Sequence, residues 1–145
     1  MANGITTRDG TGPGRLDLAK LLLRVVLGLL ILVHGISKIN SGPGMILDLV
    51  AHAGLPAWFG YLAYVGEVVA PALVIVGLFS RAAAAIIVIS MIVAVLLVHT
   101  GELLSVSDSG GYALELQAMY LVAAIVVALV GAGRYSIGGI YGHWN

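Results

Sequence analysis

The chain has 145 residues, of which 60% are hydrophobic and only 10% are Asp, Glu, Lys or Arg, with a formal net charge of zero. So few charges cannot coat a water-facing globule, and lipid must solvate much of the surface. No basic patch exists to neutralise phosphates, which argues against a nucleic-acid partner, and the lack of cysteine removes disulfides, thiolate metal sites, chain-held iron–sulfur clusters and thiol redox chemistry.

Residues 1–14 place Gly4, Gly10, Gly12, Pro13 and Gly14 among polar neighbours and predict a disordered N-terminal tail. The first apolar stretch covers 16–36. Arg8, Arg15, Lys20 and Arg24 precede or enter it and no small-x-small site follows Val33, so it reads as a span and not as a cleaved signal. Asn40, Ser41, Gly42, Pro43 and Gly44 end it. Met45, Ile46, Leu49 and Val50 then recur at helical spacing, predicting a short helix over 45–53 on the outer surface, stopped by Gly54. The second stretch, 57–79, follows Pro56 and carries Trp58, Tyr61 and Tyr64 where an interfacial aromatic belt belongs. Phe79, Ser80 and Arg81 predict a tight turn into the third stretch, 82–98, making these two helices antiparallel neighbours. A loop over 105–111, a fourth stretch over 113–130 and a glycine-rich exit over 131–139 complete the chain.

Each stretch approaches the roughly 20 residues that cross a bilayer as a helix. The expected fold is therefore all-α, a transmembrane four-helix bundle over 15–136 with a short C-terminal tail over 137–145. Arg8, Arg15, Lys20, Arg24, Arg81 and Arg134 fall at one end of the spans, while Lys38 alone falls at the other. Basic residues collect on the cytoplasmic side, so both termini are expected there, in a cell (inner) membrane.

Ionisable residues inside spans are costly and mark functional positions. At 1.5 Å per residue, His34 lies about 28 Å from the level of Arg15, His99 about 27 Å from Arg81, Glu115 about 28 Å from Arg134, and Glu67 about 21 Å from Arg81. One layer near the outer interface thus collects side chains from three helices, with Glu67 a turn or so deeper. His34 shares a face with Lys38, Glu67 with Tyr64 and Pro71, His99 with Met91, and Glu115 with Tyr112 and Met119. Arg24, lower in the span, is expected to reach up and pair with Glu67. Lys20 reads as a snorkelling cation, and Glu102 and Asp108 read as solvated loop charges. The pair Gly138–Gly139 has no strand or lysine that would make it a nucleotide loop.

Taken together, Arg24, Gly28, His34-Gly35-x-x-Lys38, Gly54-Leu55-Pro56, Gly66-Glu67, Pro71, Leu73, Gly77, Arg81, Met91, His99, the Glu115 stretch and Gly131-x-Gly133-x-x-Ser136 resemble the DoxX family of small four-helix membrane proteins. Ile137 and Gly138 stand where members of that family often carry an Asp. The resemblance implies an association with membrane redox systems, including small subunits of thiosulfate:quinone oxidoreductases. The expected function is a subunit of a quinone-linked redox system, with Glu67, His34, His99 and Glu115 as proton-handling residues. His34, Lys38, Arg24, Tyr64 and Met91 would flank a quinone headgroup. Electrons would come from a partner, and membrane lipid plus a homo-oligomer or heteromeric redox complex are the expected associations. Two other readings use the same residues: a non-enzymatic anchor or assembly factor for soluble redox enzymes, and a metal site or transport path built on His34, His99 and a carboxylate.

Overall fold

A computed structural model describes residues 13–107, 110–139, 141, 142, 144 and 145. Five helices follow in order: α1 Pro13–Ser41, α2 Gly44–His52, α3 Ala57–Val76, α4 Ser80–Val98 and α5 Glu115–Val130. Among the described residues there is no strand, only an isolated antiparallel bridge between Val106 and Tyr112. The tail expected over 1–14 falls largely outside the described residues; α1 begins at Pro13, whose missing N–H costs nothing in a first turn.

The turn between α3 and α4 lies at 77–79, two residues before the expected place, with Ser80 and Arg81 already helical. Gly77, at φ 73°, is what moves it. Its N–H reaches Val74 O at 3.2 Å and that of Leu78 reaches Leu73 O at 3.0 Å, a Schellman closure that only a left-handed residue completes.

The helices pack α1 on α3 and α5, and α4 on α3 and α5. Leu27, Ile31, Val74, Ala84, Ile87, Ala124 and Val127 meet between them. Their outer faces are apolar: Leu22, Val33, Ile89, Leu96, Met119 and Leu129 are all exposed. Arg24, Glu67, Asp17 and Ser80 are buried instead. A water-soluble domain has the reverse arrangement. Two helices, Ala57–Val76 and Ser80–Val98, are long and apolar enough to cross a bilayer, and most of each remains uncovered by protein.

The α3–α4 turn end of the molecule is tied by polar contacts. Arg24, 2% exposed, donates from Nη1 to Val74 O at 3.0 Å and to Ile75 O, and from Nη2 to Tyr135 O. The first two are last-turn carbonyls that a helix leaves unpaired, at the negative end of its dipole. Arg24 therefore caps α3 and does not pair with Glu67 as expected. Glu67 lies seven residues up α3 from Val74, about 10 Å away, while the carbonyls are at hand. The exit segment also packs back: Ile137 N–H and Gly138 N–H donate to Val76 O and Gly77 O at 3.1 and 2.9 Å. Asn145 Oδ1 accepts from Ser80 Oγ at 3.0 Å, so 137–145 is not a free tail where it is described.

Replacing Arg24 by Met should take a charged donor from three carbonyls, of which Val74 O keeps Gly77 N–H, and lower unfolding free energy by about 3 kcal/mol, given the usual worth of charged hydrogen bonds. Thermal unfolding in detergent should show a drop of several degrees, whereas the same change at exposed Arg15 should leave the midpoint in place.

Candidate functional site

Glu67 is placed by a break in the helix ladder. Pro71 has no N–H to give the carbonyl of Glu67, four residues earlier. Over Val65–Val69 the helix widens to π geometry, with Ala70 N–H returning to Val65 O. π turns of this kind gather at functional positions. Glu67 points inward and is 6% exposed.

Gly35 on α1 sits directly against this widened turn. A Cβ there would strike the Glu67 carbonyl, and Val68 Cγ2 at 2.7 Å. The missing side chain lets α1 approach closely, and one turn later Lys38 Nζ pairs with Glu67 Oε1. The Lys38 side chain is 41% exposed and that of Glu67 8%, so the cation spans the boundary while the carboxylate stays inside. Tyr64 OH lies 3.5 Å from Lys38 O, behind the pair.

Next to Glu67 is a cavity of about 120 Å³. Its polar lining is His34, Lys38, Glu67, His99 and Gln117, and Ile31, Met91, Leu116 and Tyr120 form apolar walls. His34 Nδ1 donates to Leu30 O at 3.0 Å, which leaves Nε2 available, and its ring meets Tyr120 edge-on at 6.0 Å. His99 Nδ1 lies 2.9 Å from Glu102 Oε2, and its Nε2 lies 3.5 Å from Gln117 Nε2. Two buried acceptors in this lining, Glu67 Oε2 and Gln117 Oε1, have no hydrogen-bond partner. Buried polar atoms are rarely left so, and these two set the demand that any occupant must meet.

The structure brings His34, Lys38, Glu67, Met91 and His99 together, and leaves out three residues expected beside them. Arg24 is at the opposite end. Tyr64 touches Lys38 from outside the cavity. Glu115 is exposed, in the first turn of α5, with its carboxylate beside Gly111. The inward face of α5 is instead Gln117, Tyr120, Ala124 and Val127, a spacing of three, four and three that marks a helix face in the sequence. The face chosen through Glu115 and Met119 is the exposed one. Glu102 is paired with His99 and is not merely a solvated charge. Among the described residues no three His, Asp or Glu gather closely enough to hold a metal ion, which leaves the His34–His99–carboxylate metal reading without a ligand set. A larger, shallower groove of about 650 Å³ lies at the far end, by Arg81, Ala85 and Trp144. None of the buried acceptors without partners belongs to it.

An apolar exterior around a small polar cavity, with two helices long enough to cross a bilayer, defines a helical membrane-associated protein. The chain belongs to the DoxX family, whose sequence profile it matches over residues 19–100. It is similar to a Bacillus subtilis (strain 168) protein described as "Putative oxidoreductase CatD", 32% identical over 82 residues. That alignment covers 57% of this chain and 60% of the relative, so the chain spans less than two thirds of that protein. No solved structure matches.

Substituting Gly35 by Ala should force α1 away from α3, destabilising the protein by about 1–3 kcal/mol, as overpacked contacts do, and separating Lys38 from Glu67. Gly44→Ala adds a methyl where nothing lies within 4 Å. Unfolding midpoints of the two variants should therefore diverge, with only Gly35→Ala falling.

Proposed function

We propose that this protein is an integral membrane subunit of a quinone-linked redox system, a four-helix transmembrane bundle whose cavity receives a quinone or quinol headgroup. The observation that carries this reading is Glu67: one carboxylate oxygen is held by Lys38, and the other is buried, unpartnered and beside a cavity. The uneven distribution of Lys and Arg supports cytoplasmic termini. The α2 end, with the cavity, then faces outward.

The residues present suit such a headgroup. A quinone ring has flat apolar faces and two oxygens at opposite edges, and when bound it supplies two-electron, two-proton chemistry. Ile31, Met91, Leu116 and Tyr120 offer apolar walls. Glu67 Oε2, Gln117 Oε1 and the unprotonated histidine Nε2 atoms accept hydrogen bonds from hydroxyls, while the Gln117 amide nitrogen donates to a carbonyl oxygen. At about 120 Å³ the cavity is smaller than the roughly 300–1,000 Å³ of drug-sized sites, so it accepts one ring while any lipid tail remains outside. Lys38 offsets the charge of Glu67 without occupying Oε2, which keeps a carboxylate available as an acceptor inside an apolar bundle. With no cysteine in the chain, electrons pass to or from a partner protein or a soluble carrier. The description of the Bacillus relative as an oxidoreductase agrees with this assignment and adds no substrate to it.

The full chain in nanodiscs should bind short-chain benzoquinone or naphthoquinone analogues, followed by Tyr and Trp fluorescence or calorimetry. Glu67→Gln should weaken binding of the quinol form about tenfold or more, the loss of one charged hydrogen bond. Glu115→Gln should bind as the unaltered chain does. A folded Glu67→Gln variant with unchanged affinity removes the proposal.

A further inference from the structure

The lining of the cavity continues to the aqueous surface through one histidine. His99 closes α4, and the 3₁₀ turn Thr100–Glu102 follows it directly. Glu102 N–H donates to His99 O at 3.0 Å. In this tight geometry residues three apart eclipse one another, which sets the Glu102 carboxylate beside the imidazole. The ring has two distinct environments. Nδ1 is 2.9 Å from Glu102 Oε2, on a side chain 51% exposed; Nε2 is turned to Gln117, in the cavity lining. The His99 side chain itself is 26% exposed.

We infer that His99 and Glu102 form a proton outlet joining the cavity to the aqueous face at the α2 end. The inference rests on the reading of the cavity as a place where protons are exchanged with a bound hydroxyl. A proton leaving the cavity binds Nε2, giving an imidazolium with both nitrogens donating. Glu102 then accepts the Nδ1 proton and releases it to water. The starting tautomer returns through water: Nδ1 of the partly exposed ring takes one proton from water and Nε2 gives one up to it, with no net change in charge. Gln117 serves both states of the ring. Its amide nitrogen donates to neutral Nε2, and with the amide turned over its oxygen, buried and otherwise unpartnered, accepts from the imidazolium. The other charged or titratable groups lining this cavity are His34 and Lys38 from α1, Glu67 from α3 and Tyr120 from α5. Lys38 engages Glu67 and His34 donates to Leu30 O, so of the two histidines only His99 has a carboxylate in contact. Glu102 is thus a positioning and relay residue that acts through His99.

The decisive measurement needs no ligand. With ¹⁵N-histidine-labelled full-length protein in nanodiscs, the rate of proton exchange between the His99 ring and water is read by NMR, with His34 as an internal reference. Glu102→Gln should slow His99 exchange at least tenfold and leave His34 exchange and the α5 backbone signals unmoved, and Glu102→Asp should restore the rate. Equal His99 rates in the unaltered and Glu102→Gln chains overturn the outlet. A second arm uses a short-chain naphthoquinol and a pH indicator in weak buffer. His99→Phe should slow the proton exchange that accompanies binding. If the unaltered chain binds no quinol while the Glu102 dependence holds, the outlet stands and the quinone reading falls.

Discussion

The contact between Gly35 and the π turn of α3 decides where the Lys38–Glu67 pair stands. An isolated carboxylate in an apolar bundle is too costly to keep charged, and it persists only with a partner. Lys38 is that partner, and it reaches Glu67 because Gly35, one turn before it, brings the two backbones together. The π turn follows in its turn from Pro71, which cannot answer the Glu67 carbonyl and so disrupts the regular ladder at that level. A proline, a glycine and a lysine on two helices therefore hold one carboxylate in place. Removing Lys38 or Glu67 alone would leave its partner without compensation, which is worse than removing both.

The two polar ends of the bundle use similar groups for different purposes, and hydrogen-bond satisfaction separates them. At the turn end, Arg24 engages three backbone carbonyls and Asn145 engages Ser80, Ser136 and Gly139. Among the described residues, Nε of Arg24 is the one buried side-chain polar atom without a partner there. Those contacts close helix termini and fasten the exit segment, a structural task. At the α2 end, two acceptors on different helices remain open toward one cavity. Unsatisfied acceptors of that kind do not stabilise a fold, and their presence beside an ion pair is what the proposed binding reading rests on.

Much of the helical layout was legible in the sequence, because an apolar stretch needs only composition to be seen. The short surface helix and the four long ones fall within a few residues of their expected limits. Side-chain direction was harder. Arg24 and Glu67 have complementary charge and neighbouring depth, yet the carbonyls at the end of α3 compete for the guanidinium, and backbone acceptors leave no mark in a sequence. Glu115 drew attention by its charge, although the Gln117–Tyr120–Ala124–Val127 stripe identifies the buried face and turns Glu115 outward. The π turn shifts azimuth by a fraction of a turn, so counting residues from Arg81 gives the depth of Glu67 and not its facing.

The reach of the family likeness also follows the structure. Residues 19–100 include Gly35, Lys38, Glu67, Met91 and His99, and stop before Glu102 and all of α5. The profile match therefore includes the residues that hold the carboxylate, and ends before Leu116, Gln117 and Tyr120, which line the cavity from α5. The holding machinery comes from α1 and α3 and would suit many occupants, since it fixes one charge and one acceptor. The opposite wall, from α5, sets the width of the cavity and carries the Gln117 amide. In the proposed reading the charge pair holds the occupant and the α5 wall, with Gln117 and Tyr120, would decide which occupant fits.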